Sequence, residues 1–468
     1  MKPASPDAMR LLMQGSAALA TMEANGMPVS LHHLAETTRE ITAEIREIES
    51  TMRDDPIYLS QRRRFGKDCS VGSRDQLAQI LYTELQLPGA QYSKKTGKYL
   101  LDEAALETID NDHDIPYISK FRRLAKLNKL KSTYLDGLLA ECVDGRVHGI
   151  FNLHLVKTYR GSADTPNLNN LPSRDKSLSR YVKQCIRPRK GWNIVEIDFS
   201  SLEVRIGACY HKDPTMLDYL EHDYDMHRDV SKQCYIYDDD WIEQNPKLFK
   251  VLRTAAKGDA TFGWQYGNYY VDVCKRLWVT ATRNGMVEHL ASKGIKRLGL
   301  ERDWENDKWI EHHGPDAFVT HIKGVEQDFW GRRFKVYNNW RNEWYDAYKR
   351  KGFFYTMTGF RWHGVEKKNF IINCPIQGAA FHVLLQAIID IQKEIDKRRM
   401  ESLLIIEIHD SLIAEVPDEE LDDYIAMATD IMENKVREKW PWIITDLPVE
   451  VEYSPVSWSD KESYARIT

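Results

Sequence analysis

The chain has 468 residues with a formal net charge of -5, of which 42% are apolar and 29% are charged. This balance is typical of a water-soluble globular protein with two or more domains. No apolar run approaches the ~18 residues of a membrane span, and the opening residues MKPASPDAMRLLMQG lack the apolar core of a signal peptide.

Seven cysteines are scattered along the chain without a C-x-x-C pair. This pattern argues against structural zinc and a disulfide framework, and it favours a cytoplasmic location, in the host cytoplasm if the protein is viral. An acidic chain is unusual for a nucleic-acid-binding protein, but local charge matters more than net charge. Basic clusters occur at residues 62–64, 122–131 and 397–399, although each is equally compatible with a solvated helix face.

The first 150 residues have helical patterns. From Ser30 to Met52, apolar residues recur at spacings of three, four and seven, which predicts an amphipathic helix with Ser30 as its N-cap. A second helical pattern covers residues 118–142. Near residue 150 the segments IFNLHL and NIVEIDF predict short strands, and residues 200–210 are again helical. Residues 211–350 are predicted to be mostly helical, with a charged surface insertion at 280–314.

The last quarter of the chain predicts a long helix and an antiparallel hairpin. The helix follows Pro375 and runs to about Arg398. In LLIIEIHDSLIAEV (403–416), two β-favouring runs flank a three-residue break, His409-Asp410-Ser411. Another helix and the strand PVEVEY close the chain. Helices followed by a sheet built from distant segments predict an α+β fold.

Two acids stand at the ends of predicted strands. Asp198 ends the strand of NIVEIDF, and Asp410 lies in the hairpin break. One interpretation is local, because Asp and Ser favour tight turns and Ser200 with Glu203 fits a helix capping box. The other is that the strands pair and bring both carboxylates to one divalent cation. Hard oxygen ligands favour Mg²⁺, and two such ions suit a phosphoryl displacement.

A third pattern combines cations and rings on one helix. Arg253 and Lys257 are four residues apart, as are Phe262 and Tyr266, and each aromatic residue precedes a glycine. Spacing of four places side chains on one helical face. A lone Arg-Lys pair is more often plain surface charge. Together with the rings, it suits a nucleoside triphosphate, because cations match the phosphates and rings match the base.

Together these segments resemble motifs A, B and C of the family A DNA polymerases, the DNA polymerase I superfamily. They are DFSSLEVR (198–205), the R-x-x-x-K…F-G-x-x-Y-G helix and the His409-Asp410 hairpin. Further segments resemble the family in the same order along the chain. The thumb of the family is resembled by SRDQLAQILYTELQLP, KKTGKYLLDEAAL and LNKLKSTYLDGLL. Three later segments also resemble the family: TYRGSADTPNLNNLP, NFIINCPIQGAA and PVEVEYSPVSW. The resemblance implies an α+β right-hand fold with an antiparallel palm sheet and helical thumb and fingers.

The resemblance also implies domain limits and an activity. Residues 1–150 would form a palm-edge segment and the thumb, 151–210 the palm with motif A, 211–365 the fingers, and 366–468 the palm with motif C. The implied activity is template-directed addition of deoxynucleotides to a primer 3′ end, with primer-template DNA and dNTPs as partners. Asp198 and Asp410 would be catalytic and would hold two Mg²⁺, for which Mn²⁺ can substitute, with the carbonyl of Phe199.

The remaining roles follow by position in the family motifs. The predicted nucleotide-binding residues are Glu203, which would exclude a 2′-hydroxyl, and His227, Arg253, Lys257, Phe262 and Tyr266. The predicted DNA-binding residues are Lys131, Arg160, Asn167, Asn170, Asn373, Gln377 and His409. Contacts in the minor groove would test the shape of a base pair without identifying its sequence.

Three departures from the family pattern matter. Ser411 stands where motif C usually has Glu, so a third carboxylate is lost. Lys257 and Phe262 are five residues apart instead of four, and a regular helix would turn them ~140° apart. We therefore predict a π-bulge at Gly258-Asp259 that keeps both side chains on one side. The segment between Gly267 and Gly359 is also longer than usual.

Upstream nuclease domains are not expected in this chain. About 20 residues precede the first matched helix, too few for a proofreading domain. A bacteriophage polymerase core with its exonuclease on another polypeptide is one interpretation, with a helicase or other replication proteins as further partners and no membrane. A shortened form of a longer polymerase is the second interpretation.

Other activities on the same fold stay open. A reverse transcriptase is compatible with every residue above, whereas Glu203 and Phe262 weigh against a single-subunit RNA polymerase. An inactive DNA-binding processivity subunit is a third possibility, but such a protein would not need both acids, Arg253 and Lys257.

Overall fold

A computed structural model of the protein describes residues 1–93, 96–172, 175–303 and 308–465. Two residues of the KKTGKYLLDEAAL segment and residues 304–307 of the predicted insertion lie outside these ranges.

The described part of the first 150 residues is mostly helical, as predicted, with five short strands. The Ser30 side chain caps α2. The second helical pattern ends at Ala140, so its predicted extension to Cys142 is wrong: Asp144 and Gly145 have positive φ and turn the chain into a hairpin. The elements are α1 (Pro6–Asn25), β1 (Met27–Pro28), α2 (Leu31–Arg53), α3 (Pro56–Phe65), α4 (Arg74–Gln79), β2 (Gln91–Ser93), β3 (Lys98–Leu100), α5 (Glu103–His113), α6 (Pro116–Lys129), α7 (Asp136–Ala140), β4 (Cys142–Val143) and β5 (Arg146–Val147).

The next segment carries the central strand and the helix that follows it. The elements are β6 (Ile150–Asn152), β7 (Ser162–Asp164), α8 (Lys176–Lys183), β8 (Trp192–Phe199) and α9 (Leu202–His211). The predicted capping box of Ser200 and Glu203 is wrong. Ser201 stands at the N-cap with a φ of 56° and makes no side-chain cap bond, and the Glu203 side chain is bound elsewhere.

A helical unit with its own core follows. Trp264 and Phe329 lie in this core with ring centroids 5.0 Å apart. The elements are α10 (Pro214–Glu221), α11 (Met226–Tyr235), α12 (Asp239–Gln244), α13 (Pro246–Ala255), α14 (Phe262–Gln265), α15 (Tyr270–Arg283), α16 (Met286–Ser292), β9 (Leu300–Asp303), β10 (Lys308–Glu311), α17 (Phe318–Asp328) and α18 (Lys335–Lys351), then β11 (Phe353–Tyr355) and β12 (Arg361–His363). The charged section therefore includes two strands, β9 and β10, that pair antiparallel.

The long helix α19 (Lys368–Arg398) begins before Pro375, so its predicted start is wrong. Proline cannot donate to the carbonyl four residues earlier, and the indole of Trp344 donates to that carbonyl, of Ile371, instead. By length and composition α19 could cross a bilayer, but 89% of its most apolar window is buried, as in a core helix. The last elements are β13 (Leu403–Ile408), β14 (Ser411–Pro417), α20 (Leu421–Asp430), α21 (Val436–Lys439), β15 (Val449–Ser454) and β16 (Glu462–Ser463).

A five-stranded antiparallel sheet joins the distant segments in the order β13-β14-β8-β15-β16. Alternate residues of β8 face opposite sides, as expected for a strand. Val195, Ile197 and Phe199 belong to the core that includes α1 and α19. Ile194 belongs to a second core, which packs against the helices from α2 to α7, called here the first helical unit. The predicted assembly of an α+β sheet from remote strands is confirmed.

Candidate active site

Asp198 and Asp410 meet at one edge of the central sheet. Strand β14 pairs with β8 so that Ser411 lies opposite Asp198. The backbone N–H of Phe199, the predicted carbonyl ligand, donates to the Asp410 carbonyl at 3.2 Å. Ser411 pairs with Ile408, so the hairpin break contains two residues and not three. The predicted convergence of the two acids is therefore confirmed.

Both carboxyl groups are poorly solvated. Burial raises the pKa of Asp198 to about 6; a hydrogen bond from Ser411 opposes this shift, and Glu196 and Glu450 add to it. Burial also raises the pKa of Asp410 to about 6; Arg160 opposes this shift and Asp198 adds to it. Close, partly desolvated carboxylates favour a bound cation, which would stabilise their charged forms. The site thus fits a hard divalent ion such as Mg²⁺.

Two carboxylates do not complete a protein-only metal site. Among the described residues, no group of three or more His, Cys, Asp or Glu side chains is arranged to hold a metal ion. Mg²⁺ commonly binds through one or two carboxylates and takes its other ligands from water and substrate phosphates. Two carboxylates are therefore a donor set that fits Mg²⁺.

The serine of motif C contacts a neighbouring acid. Ser411 Oγ donates to Glu196 Oε1 at 3.3 Å, and Glu196 also accepts from Trp458 Nε1 at 2.6 Å and pairs with Lys461. Burial would raise the pKa of Glu196, but Lys461 outweighs it and the pKa lies below its usual value. Glu196 and Lys461 are site neighbours that the sequence analysis missed.

Glu203 links three parts of the site. Its carboxylate pairs with the Arg160 guanidinium and accepts a hydrogen bond from the Tyr266 hydroxyl. Glu203 and Tyr266 line a small cavity together with Asn373 and Gln377. Asn373 Nδ2 also donates to the Tyr266 carbonyl at 3.4 Å. The structure thus brings two predicted nucleotide-binding and three predicted DNA-binding residues together.

The motif B helix contains the predicted irregularity. A π-helical segment, Ala256–Thr261, joins α13 to α14. Lys257 Nζ lies 5.5 Å from the centre of the Phe262 ring, so both side chains point to the same side. Gly258 has no neighbouring atom within 4 Å of a Cβ built on it. The prediction of a π-bulge is confirmed.

His227 and Arg253 complete this group. The His227 ring lies edge-on to Phe262, with centroids 5.3 Å apart. Burial, then Lys257 and Arg253, lower the pKa of His227 to about 4, so its ring is neutral at pH 7. Its buried Nδ1 has no hydrogen-bond partner in the described part of the protein. Arg253 is held by Asp225, a contact that the sequence analysis did not predict.

The other predicted DNA-binding residues are spread over a wider surface. His409 is exposed at the hairpin turn with a φ of 59°. Asn167 and Asn170 line a groove with Tyr134 of the first helical unit. Lys131 donates to Asp136 at 2.8 Å on that unit. His409 directly precedes Asp410 and so lies beside the acid pair, whereas Asn167, Asn170 and Lys131 lie in or near the groove of the first helical unit.

Glu407 is a further acid beside the site. It is 2% exposed, its Oε1 accepts from Asn169 Nδ2 at 3.0 Å, and burial raises its pKa to about 7. The only signal in the sequence is a charge inside the apolar run LLIIEI. Because the sheet faces alternate, that position alone did not distinguish a solvated side chain from a buried one.

Comparisons with known proteins identify one family. The sequence model of DNA polymerase family A matches residues 32–288 and 327–460. DNA polymerase I of Geobacillus stearothermophilus is 26% identical over 448 residues, which are 94% of this chain and 44% of that protein. The thermostable DNA polymerase I of Thermus aquaticus is 26% identical over 433 residues, 89% of this chain and 45% of that protein. The chain therefore spans less than half the length of these relatives.

A solved structure has the same fold. The POL domain of Pol1 from M. smegmatis, in complex with DNA primer-template and dNTP, superposes with a TM-score of 0.74 and 22% identity over 96% of this chain and 70% of that chain. The predicted right-hand fold is confirmed. Residues 289–326, which the family model does not match, overlap the charged section that the sequence predicted as an insertion.

Proposed function

The chain belongs to DNA polymerase family A, and on that premise we propose that it is a DNA-directed DNA polymerase that extends a primer with deoxynucleotides. The observation that carries the proposal is that three groups adjoin one another: the Phe262 ring lies 6.3 Å from the Tyr266 ring, and Arg160, the partner of Glu203, opposes the rise in the pKa of Asp410. The three groups are the paired acids, Asp198 and Asp410, the cation and ring group around Phe262, and the Glu203 cluster.

The paired acids would bind the metal ions of the reaction. Two Mg²⁺ there would stabilise the attacking and leaving oxygens of an in-line phosphoryl displacement. The primer 3′ oxygen loses its proton and bonds to the α-phosphorus, and the bond from that phosphorus to pyrophosphate breaks. Asp198 would hold its ligand oxygens in place because it lies on the paired strand β8, and Asp410 would do so because its backbone carbonyl accepts from the N–H of Phe199 on that strand.

The motif B helix would hold the incoming nucleotide. Lys257 supplies positive charge, and Arg253 supplies directed N–H donors for the phosphates. The neutral His227 can donate one hydrogen bond without adding charge. Phe262 offers a ring face to the sugar and base. Glu203, fixed by Arg160 and Tyr266, would lie beneath the sugar and exclude a 2′-hydroxyl.

The duplex would lie against the cavity of Tyr266, Asn373 and Gln377. Amide and guanidinium groups can donate to the acceptors that every correct pair presents in the minor groove. Asn167, Asn170 and Lys131 would contact the DNA further along, and His409 would contact the primer terminus.

Primer extension is the test. A labelled primer annealed to a DNA template is incubated with the chain, Mg²⁺ and dNTPs, and the products are resolved by length. Extension that follows the template sequence supports the proposal. Binding of the primer-template without extension, with either Mg²⁺ or Mn²⁺, would instead support an inactive DNA-binding subunit.

The choice of nucleotide and template distinguishes a DNA polymerase from an RNA polymerase and from a reverse transcriptase. The same assay is repeated with NTPs in place of dNTPs, and with an RNA template in place of DNA. Glu203 is the observation that favours dNTPs, because its carboxylate is held by two partners and cannot easily withdraw from a 2′-hydroxyl. We expect efficient incorporation of dNTPs on DNA and only weak incorporation of NTPs.

We also propose that these 468 residues have no 3′→5′ exonuclease activity. The structural match to a polymerase domain extends over 96% of the chain, which leaves few residues for a second catalytic domain within it. A mismatched primer incubated with Mg²⁺ and no dNTP should keep its length. If the purified chain shortens that primer, and if the Asp198→Ala and Asp410→Ala variants shorten it equally, the chain has a separate nuclease site. A bacteriophage source and separate exonuclease or helicase partners remain proposals.

A further inference from the structure

Asp225 connects two of the groups that would bind the nucleotide. Its Oδ2 accepts from Arg253 Nε at 2.6 Å and its Oδ1 accepts from Arg253 Nη2 at 2.9 Å. The same carboxylate is the N-cap of α11 and accepts from the backbone N–H of Arg228 at 2.9 Å. We propose that Asp225 is a positioning residue for dNTP binding, which holds Arg253 directly and His227 through the start of α11.

The geometry of the pair favours positioning over sequestration. A guanidinium has five N–H groups in a plane, and the contacts with Asp225 use one on Nε and one on Nη2. Three N–H groups remain on the sides that do not face Asp225. A free arginine carries ~2 kcal/mol of rotamer entropy, and less of it is lost on binding when the planar fork is already held. Asp225 therefore prepares Arg253 to bind phosphate oxygens.

The capping contact of Asp225 acts on His227. α11 begins at Met226, so His227 lies in its first turn, where the N-cap fixes the direction of the chain. That direction positions the half-buried His227 ring for its edge-on contact with Phe262. One carboxylate thus fixes side chains from two helices, α11 and α13.

The charges give Arg253 a role that differs from that of Lys257. Asp225 neutralises Arg253, so this pair adds little net charge to the pocket. Lys257 lies beside the Phe262 ring and supplies the attraction for the triphosphate. Arg253 supplies orientation, which is lost when the clamp is lost even though the arginine itself remains.

The test separates the clamp from the cap and rests on the proposed polymerase function. Asp225→Ser keeps a capping oxygen but is too short to bind the guanidinium of Arg253, and Asp225→Ala removes both. We expect Asp225→Ser to raise KM for dNTP by ~10-fold and to change kcat by less than ~3-fold. Asp238→Ala is the matched control, because Asp238 caps another helix of the same unit, α12, through the backbone N–H of Trp241; its KM should match the unchanged protein.

A double-mutant cycle provides the decisive result. If Asp225 acts through Arg253, Arg253→Ala and Arg253→Ala with Asp225→Ser should have the same KM within ~2-fold. Independent, multiplying effects, or an Asp225→Ser variant with unchanged KM, would overturn the inference and leave Asp225 a structural cap. Melting temperatures identify variants that fail to fold.

A binding measurement distinguishes failure of the inference from failure of the proposed function. The affinity of a fluorescent dNTP for the enzyme-primer-template complex is measured with the same variants. If the unchanged chain binds dNTP but does not extend primers, the double-mutant cycle is calculated from the Kd values for dNTP instead of from KM. If it neither binds nor extends, the proposed function and the inference are both wrong.

Discussion

Ser411 lies directly opposite Asp198 in the central sheet. The register places Asp410, one residue earlier, beside the end of β8, where Phe199 donates to its carbonyl. A shift of one residue would turn every side chain of β14 to the opposite face of the sheet. The pairing of the two acids is therefore a consequence of the strand register and not of the turn itself.

This register predicts unequal effects for neighbouring substitutions. Asp198→Ala and Asp410→Ala should each reduce primer extension by ~1,000-fold or more, because each removes a carboxylate that would hold the metal ions. Primer-template binding should change by less than ~3-fold. Ser411→Ala is the comparison, since it removes a hydroxyl and its contacts with Glu196 and Asp198 but no carboxylate, and its rate should stay within ~3-fold. Extension at a normal rate by either aspartate variant contradicts the assignment.

The acids were predictable because their sequence context determines their location. Asp198 lies at the end of a strand, Asp410 lies in a hairpin turn, and antiparallel pairing of the two strands leaves them one common edge. The π-segment was predictable because Lys257 and Phe262 must face one side despite an extra residue. These are consequences of local geometry.

Contacts between distant side chains were not predictable in the same way. Asp225 and Arg253 are 28 residues apart on separate helices, and nothing in periodicity sets the angle between those helices. Glu203 fits a capping box by sequence, yet ion pairing with Arg160 competes with the local cap. Lys131 belongs to a basic cluster, but a nearby acid, Asp136, binds it.

A close backbone approach predicts that Gly378 is needed for the position of Arg160. A Cβ at Gly378 would lie 2.7 Å from the Thr158 carbonyl oxygen, so Gly378→Ala must push away the segment that carries Arg160. We expect a loss of ~1–3 kcal/mol in the free energy of unfolding and weaker primer-template binding. Denaturation measures the free energy of unfolding, and titration with labelled DNA measures primer-template binding.

The matched control is Gly324→Ala in α17, where a Cβ would meet no atom within 4 Å. Alanine at an open helical position should leave stability unchanged or raise it by ~0.5–1 kcal/mol. Equal stability of the Gly378→Ala and Gly324→Ala proteins would show that the Thr158 segment is free to move.

The raised pKa of Glu407 predicts a pH dependence of stability. Burial raises this pKa from 4.5 to about 7 in the folded protein, so between these values the folded state binds more protons than the unfolded state. Stability must therefore fall as pH rises through this window. Glu407→Gln can still accept from Asn169 and does not ionise. We expect it to be more stable than the unchanged protein by ~1–3 kcal/mol at pH 8, with little difference at pH 4.5.

The measurement is denaturant unfolding across pH 4.5–8 without divalent ions. Glu419→Gln, at an exposed position, is the control and should follow the unchanged protein at every pH. A constant difference between Glu407→Gln and the unchanged protein over the whole range would mean that Glu407 does not titrate in this window.

The last prediction concerns the length of the segment between Lys257 and Phe262. Five residues apart, the two side chains still lie on one side because the π-segment Ala256–Thr261 takes up the extra residue. Deletion of Gly258, which has open space around it, leaves a spacing of four. In a regular α-helix this is a rotation of only ~40°, so the chain can lose the bulge and keep both side chains together. An alanine inserted after Gly258 makes the spacing six, and a segment that already contains one bulge has no simple way to absorb another.

We expect KM for dNTP to stay within ~5-fold after the deletion and to rise by ~100-fold or more after the insertion. Melting temperatures establish that both variants are folded. A deletion as harmful as the insertion would mean that the π-segment itself, and not the common direction of Lys257 and Phe262, is what the site requires.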